Sequence, residues 1–194
     1  MKGFIRGKKI IVLPLDDNAK LEVFLDKEHD KYYFNSALYF SDGEEEYLLM
    51  NDSLAFTIGR GLYERAFCIN EYAGDDFDKE LEGMALPDFY DKIDKYFMLT
   101  ECKGYAMYLI KNNGKIKFLL YKIKTVSNEK KKTLKFPYER LCKIEVAEST
   151  IVQWQDILEK EFIPRYIAEL KKSDKAGTEE QIQAAIALLK KKKS

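Results

Sequence analysis

The chain has 194 residues, 46% of them apolar, and its 33 basic and 33 acidic side chains leave no net charge. That length fits one domain, or one domain with a helical appendage, with enough apolar content for a sizeable core. No run approaches the roughly 18 uninterrupted apolar residues of a membrane span. The basic start leads into only about five apolar residues, too few for a secretory leader, so the expectation is a cytoplasmic protein.

In chain order, residues 8–15 read as a strand that ends in the turn Asp16-Asp17-Asn18. Leu21, Val23 and Leu25 alternate with Glu22, Phe24 and Asp26, the period of a half-buried strand. After a turn at Glu28-His29-Asp30, Tyr32–Phe40 carries aromatics on both faces and is expected to be central or covered on both sides. Asp42-Gly43 turns the chain into Tyr47–Met50. Leu54–Ile58 and Leu62–Ile69 follow as further strands, separated by Gly59-Arg60-Gly61. Strands at intervals of about 8–12 residues indicate an antiparallel meander.

The pattern changes at Gly74. Phe77, Leu81 and Met84 recur at helical spacing, with Asp75, Asp76 and Asp78 where a helix dipole favours anions; residues 73–95 are read as a helical insert. A strand over Tyr96–Lys103 follows, then two apolar-rich runs flanking Asn112-Asn113-Gly114. Asn-Gly is the strongest short-range hairpin signal, because both residues tolerate positive φ. A lysine-rich loop from Thr125 to Thr133 leads to a last strand, Arg140–Val146.

The C-terminal part reads as helix. Thr150 with Gln153 makes a capping-box pattern, and so does Thr178 with Gln181. Pro164 is expected to kink or split the first of these helices, because it lacks the amide donor and clashes with the preceding turn. The fold class is therefore α+β and predominantly antiparallel β, about ten strands as a sheet, barrel or sandwich. The domains are drawn as residues 1–147, β-rich with the acidic insert, and 148–194, helical and packed on it.

The charges are segregated. Residues 71–101 hold ten acids against three lysines, whereas residues 111–143 hold eleven bases against two glutamates. Such asymmetry speaks to partners rather than to fold. Its simplest meaning is that the two segments face each other or that both are solvated.

Few patterns carry chemistry. Cys68, Cys102 and Cys142 are odd in number and far apart, which suits buried reduced thiols better than disulfides or zinc. His29 is the only histidine and has no nucleophile signature around it. Gly59-Arg60-Gly61 lacks the rest of a phosphate loop, and Asp76, Asp78 and Glu80 lack the glycine and glutamate of a calcium loop. No cofactor or metal is expected.

Pro87-Asp88, with twelve residues intervening before Glu101-Cys102-Lys103 at the end of an apolar run, resembles the PD-(D/E)xK signature of metal-dependent nucleases. That resemblance implies Asp88 and Glu101 as magnesium ligands and Lys103 as the residue assisting the attacking water. Trp154, near the start of a helix after a run of strands, is similar in layout to a pleckstrin-homology-type domain; only the order of elements agrees, and a buried indole anchoring a helix to a sheet is the simpler account.

The favoured expectation is a non-enzymatic binding or assembly protein that contacts a protein partner, or a second copy of itself, through charged patches, with no membrane involvement. The binding residues named for it are Lys115, Lys117, Lys122, Lys124, Lys130, Lys131, Lys132, Lys135 and Arg140. The same lysines flank Tyr105, Tyr108, Phe118 and Tyr121, which gives the alternative of a nucleic-acid-binding sheet that stacks bases and holds phosphates over 105–143. The nuclease is the other alternative.

Overall fold

Four strands, β1 (Arg6–Pro14), β2 (Lys20–Asp26), β3 (Ser36–Ser41) and β4 (Glu46–Asp52), form an antiparallel meander in the order β1-β2-β3-β4. The computed structural model describes residues 6–26, 36–52, 71–74, 76–81, 84, 88, 92, 97–102, 104–123, 138–172 and 178–191. The turns are built from the polar residues between the apolar runs. Asp16 Oδ1 accepts the Asn18 and Ala19 amides at 2.8 and 2.6 Å, and Asp42 Oδ1 accepts those of Glu44 and Glu45. Gly43 takes a φ of 96°, open to glycine without the Cβ penalty.

β3 lies between β2 and β4 and is buried on both faces, as its double-sided aromatic pattern predicts. Ile11, Leu13, Leu21, Val23, Leu38, Phe40 and Tyr47 share one face by register. The other carries a polar row: the Arg6 guanidinium lies over the rings of Phe24 and Tyr39, at 4.6 and 4.0 Å, and reaches Glu46 at 2.9 Å. Beside it the buried Glu22 carboxylate is paired with Lys9 at 2.5 Å.

A second meander, β5 (Phe97–Cys102), β6 (Tyr105–Asn112), β7 (Lys115–Ile123) and β8 (Tyr138–Ala147), is ordered β5-β6-β7-β8. Asn113 and Gly114 turn β6 into β7 with φ of 52° and 72°, the two positive values a two-residue hairpin of the I′ kind requires. A short helix, α1 (Phe77–Leu81), belongs to the same unit, and Asp88 and Lys92 also have helical backbone. The remainder of the expected 73–95 insert, the expected strands over 54–69 and the loop over 125–133 lie outside the described residues.

β8 runs without a loop into α2 (Glu148–Ile157), followed by a π-helical turn (Leu158–Phe162), α3 (Ile163–Leu170) and α4 (Thr178–Lys191). Two expectations are corrected here. Thr150 does not cap α2: the helix starts at Glu148, whose amide donates to the Gly114 carbonyl, so the hairpin turn satisfies a donor that a cap would otherwise take. Nor does Gln181 complete a capping box. It is 4% exposed, and among the described residues neither its amide oxygen nor its nitrogen has a hydrogen-bond partner. Burial with Ile182 on a helix packed against α3 carries it away from the α4 start. Pro164 splits the helix as expected, by a specific device. The turn before it widens to i→i+5 bonding, Ile163 N–H to Leu158 O, and Pro164 falls in the first turn of α3, where a missing amide costs least.

The helices are fastened to β1 at three points. Trp154 Nε1 donates to the Pro14 carbonyl at 2.7 Å, Arg165 donates to the Ile10 carbonyl at 3.2 Å, and Lys8 pairs with Glu169. Contacts divide the chain into two units, residues 1–67 with 149–194, and residues 68–148. The second division falls one residue from the boundary drawn in the sequence; the first, at 67/68, was not drawn. The architecture is thus α+β with two antiparallel sheets and a few helices. Among the described residues no helix is long and apolar enough to cross a membrane.

Candidate binding site

Pairing in the second sheet decides which side chains share a face. Tyr108 lies opposite Leu119 and Ile110 opposite Lys117, so Ala106, Tyr108, Ile110, Lys117, Leu119 and Tyr121 project together. Lys143 lies opposite Leu119 and Glu145 opposite Lys117; after a bulge between Leu120 and Tyr121, Arg140 lies opposite Tyr121. One face is therefore apolar over β6 and β7, apart from Lys117, and charged over β8.

The acidic segment covers the apolar part. Tyr72, Phe77 and Leu81 are buried in one cluster with Ala106, Tyr108, Ile110, Leu119 and Tyr121, and Met84 packs against it. The segment is tied down through its backbone. Tyr72 N–H donates to the Lys111 carbonyl at 2.7 Å, and the Asn112 side-chain amide donates to the carbonyls of Tyr72 and Gly74 at 2.9 and 3.2 Å. Glu71 accepts the Asn113 amide at 3.0 Å. Asp76 caps α1: its carboxylate accepts the Lys79 amide at 3.3 Å. Glu80 accepts hydrogen bonds from Lys92 and Tyr72, which hold its carboxyl below the usual range. Burial, with smaller contributions from Tyr108 and Asp76, pushes the Tyr121 hydroxyl well above its ordinary value.

Where the cover meets β8 there is a pocket of about 230 Å³. Buried Tyr72, Phe77, Ile110 and Leu119 supply its apolar lining. Asp76, Lys117, Arg140 and Lys143 supply its charges. Glu145 adjoins them: it is bonded to Lys115 at 2.7 Å and lies 4.0 Å from Lys117. The Lys115 hydrogen bond, with the charges of Lys115, Lys117 and Lys143, holds the Glu145 carboxyl below the usual range. The arrangement can receive an anionic group.

Of the expected binding residues, the structure brings Lys117 and Arg140 to this pocket. Lys115 is exposed and paired with Glu145, and Lys122 is exposed opposite Glu139. Lys124, Lys130, Lys131, Lys132 and Lys135 lie outside the described residues. The aromatics expected to stack bases are a correction. Tyr108, Phe118 and Tyr121 are at most 1% exposed, Tyr108 and Tyr121 with ring centroids 5.8 Å apart, so the alternation that sets lysines outward sets these rings inward. Tyr105 is half-buried.

The nuclease set falls only partly within the described residues. Asp88 is exposed on helical backbone, Glu101 lies on β5 opposite Ala106, and Lys103 is outside the described residues. Among the described residues no group of three or more His, Cys, Asp or Glu side chains is placed to hold a metal ion. Cys142 is unbridged and half-buried rather than buried. Trp154, which prompted the pleckstrin-homology comparison, is fully buried and anchors α2 to β1.

Asp76, Tyr72 and Lys143 were not named from the sequence as site residues. The acid excess pointed to the segment of Asp76, and β-alternation placed Lys143 on an exposed face; their meeting depends on the β7–β8 register. No protein-family model, no curated protein and no solved structure matches the chain.

Proposed function

We propose that this chain is a non-enzymatic binding or assembly protein that contacts protein partners through its charged surface, with the Lys117–Arg140–Lys143 side of the second sheet receiving an acidic partner. One observation carries the reading: three cationic side chains of two adjacent strands, Lys117, Arg140 and Lys143, line one pocket that holds a single acid, Asp76. A cationic surface of this kind suits a protein contact, where charge sets approach and orientation. Burial of the neighbouring tyrosines favours this over nucleic acid, because base stacking requires exposed rings.

The test compares the wild-type chain with the double variant Arg140→Glu, Lys143→Glu. Wild type is expected to retain a discrete protein partner, or a higher oligomer in analytical ultracentrifugation, after nuclease treatment, and the variant is expected to lose it. Equal behaviour of the two proteins would sink the reading. Binding to a labelled single-stranded oligonucleotide that collapses by orders of magnitude between about 50 and 200 mM salt would replace it with nucleic-acid binding.

A further inference from the structure

We propose that Asn113 is a covalent modification site. When the hairpin tip opens, its carboxamide converts to a carboxylate, and the product no longer fits the tip that holds the acidic cover on the second sheet.

Sequence and exposure supply the reactivity. Asn113 is the only asparagine in the chain that precedes a glycine, and both residues are exposed. Glycine has no side chain to shield its nitrogen, and even an added Cβ at Gly114 would meet nothing within 4 Å. The Gly114 nitrogen attacks Asn113 Cγ. The N–Cγ bond forms, the Cγ–Nδ2 bond breaks, the Gly114 amide proton passes through water to Nδ2, and ammonia leaves. Water then adds across one imide C–N bond of the five-membered ring. Cleavage on the Cγ side gives aspartate at position 113; cleavage on the backbone side gives isoaspartate, with an extra methylene in the main chain. Neither step needs an oxidant or a cofactor.

The hairpin decides when this happens. Ring closure needs the Asn113 Cβ and the Gly114 nitrogen eclipsed about the Cα–C bond, and the dihedrals of a turn of the I′ kind hold them far apart. Only the opened tip reacts.

Specific groups then exclude the product. The Asn112 carboxamide is fixed in orientation, because its nitrogen donates to the Tyr72 and Gly74 carbonyls at 2.9 and 3.2 Å. Its Oδ1 therefore faces position 113 and accepts the Asn113 side-chain amide at 3.1 Å. A carboxylate at 113 sets oxygen against oxygen. It also adds a negative charge beside Glu71, which accepts the Asn113 backbone amide at 3.0 Å. Lys111, within electrostatic reach of Glu71, is already bonded to Glu148 at 2.8 Å. Facing acceptors and like charges both favour the open tip, and Asn112 loses its hold on Tyr72 and Gly74.

The full-length chain is incubated in mildly alkaline buffer beside the Asn112→Ala variant and beside wild type unfolded in urea. Peptide mass spectrometry then locates the amide-to-acid conversion and the isoaspartate. Conversion is expected at Asn113 ahead of Asn18 and Asn112, fastest in urea and slowest in native wild type. Asn112→Ala is expected to convert about 10-fold faster than native wild type, because losing its bonds shifts the opening equilibrium. Separately, Asn113→Asp is expected to speed hydrogen exchange of the Lys79–Leu81 amides about 10-fold. Asn113→Gly suits the turn without adding a carboxylate and is expected to leave that exchange near wild type. No preference for Asn113, or native wild type converting as fast as the unfolded chain, overturns the gated site. Unchanged exchange in Asn113→Asp, or the same increase in both variants, overturns the exclusion of the product.

Discussion

The Asn112 side-chain amide donates to the carbonyl of Tyr72, forty residues earlier in the chain, at 2.9 Å. With its second bond, to the Gly74 carbonyl, it fastens the approach to α1 onto the tip of the central hairpin. Replacing Asn112 with alanine leaves both carbonyls without that donor. The expected cost is about 1–3 kcal/mol, with faster hydrogen exchange confined to the Lys79–Leu81 amides. Unchanged exchange there would show that apolar packing alone holds the cover in place.

Gly74 and Gly114 should respond to alanine for different reasons. A Cβ at Gly74 would collide with the Tyr72 ring and hydroxyl and with the Glu80 carboxylate, whereas one at Gly114 meets nothing within 4 Å but sits at a φ of 72°. Gly114→Ala is expected to cost about 1–2 kcal/mol through backbone strain alone. Gly74→Ala is expected to cost about 1–3 kcal/mol through overpacking and to displace Tyr72, while the hairpin variant should not. Crosspeak shifts of Phe77 and Leu81 in each variant separate the two effects.

Trp154 is the only tryptophan, is fully buried and belongs to the unit of residues 1–67 and 149–194. Its fluorescence therefore reports on that unit. The native emission is expected to be blue-shifted. Trp154→Phe is expected to lose about 1–3 kcal/mol, since the Pro14 carbonyl then lacks its donor. A red-shifted native spectrum would contradict the burial.

Acid should weaken specific ion pairs. Hydrogen bonds from Lys8 and Lys172 hold the Glu169 carboxyl below its ordinary value of 4.5, and Lys115 does the same for Glu145. With native values depressed, the unfolded chain binds more protons in this range. The stabilisation is therefore complete above 4.5 and is lost as the pH falls through the native values. Both glutamates are partly exposed, so each pair is worth no more than about 1 kcal/mol. Glu169→Gln should be less stable than wild type near neutral pH, and the gap should close in acid. A gap independent of pH would remove the ion pair as its cause.

Local chemistry was the legible part of this fold. Alternation marked the described strands, Asn113-Gly114 marked the hairpin, and aromatics on both faces marked β3 as an interior strand. The capping-box spacings of Thr150 and Thr178 marked the helices after Val146, although Gln181 does not complete its box and Thr150 does not cap its helix. What stayed hidden depends on residues far apart in the chain. The inward facing of Tyr108 and Tyr121 follows from which face the acidic segment covers, and the meeting of Asp76 with Lys143 follows from a bulged register. The start of α2 was misread because the Gly114 carbonyl, thirty-four residues away, takes the donor that a local cap normally takes. Proline chemistry predicted the split at Pro164, but the π-helical turn that accommodates it has no composition signal of its own.

The inserted arrangement of the two units also orders events in time. Pro14 emerges from the ribosome 140 residues before Trp154, an interval of about 7–28 s at typical synthesis rates of roughly 5–20 residues per second. Through that interval the first meander exists without α2 and α3, and by its end every residue of the 68–148 unit has been made. The unit that begins first in the sequence is therefore the last to be completed. A nascent chain stalled just after residue 148 should expose β1 to any apolar surface nearby, a window in which a holdase would act.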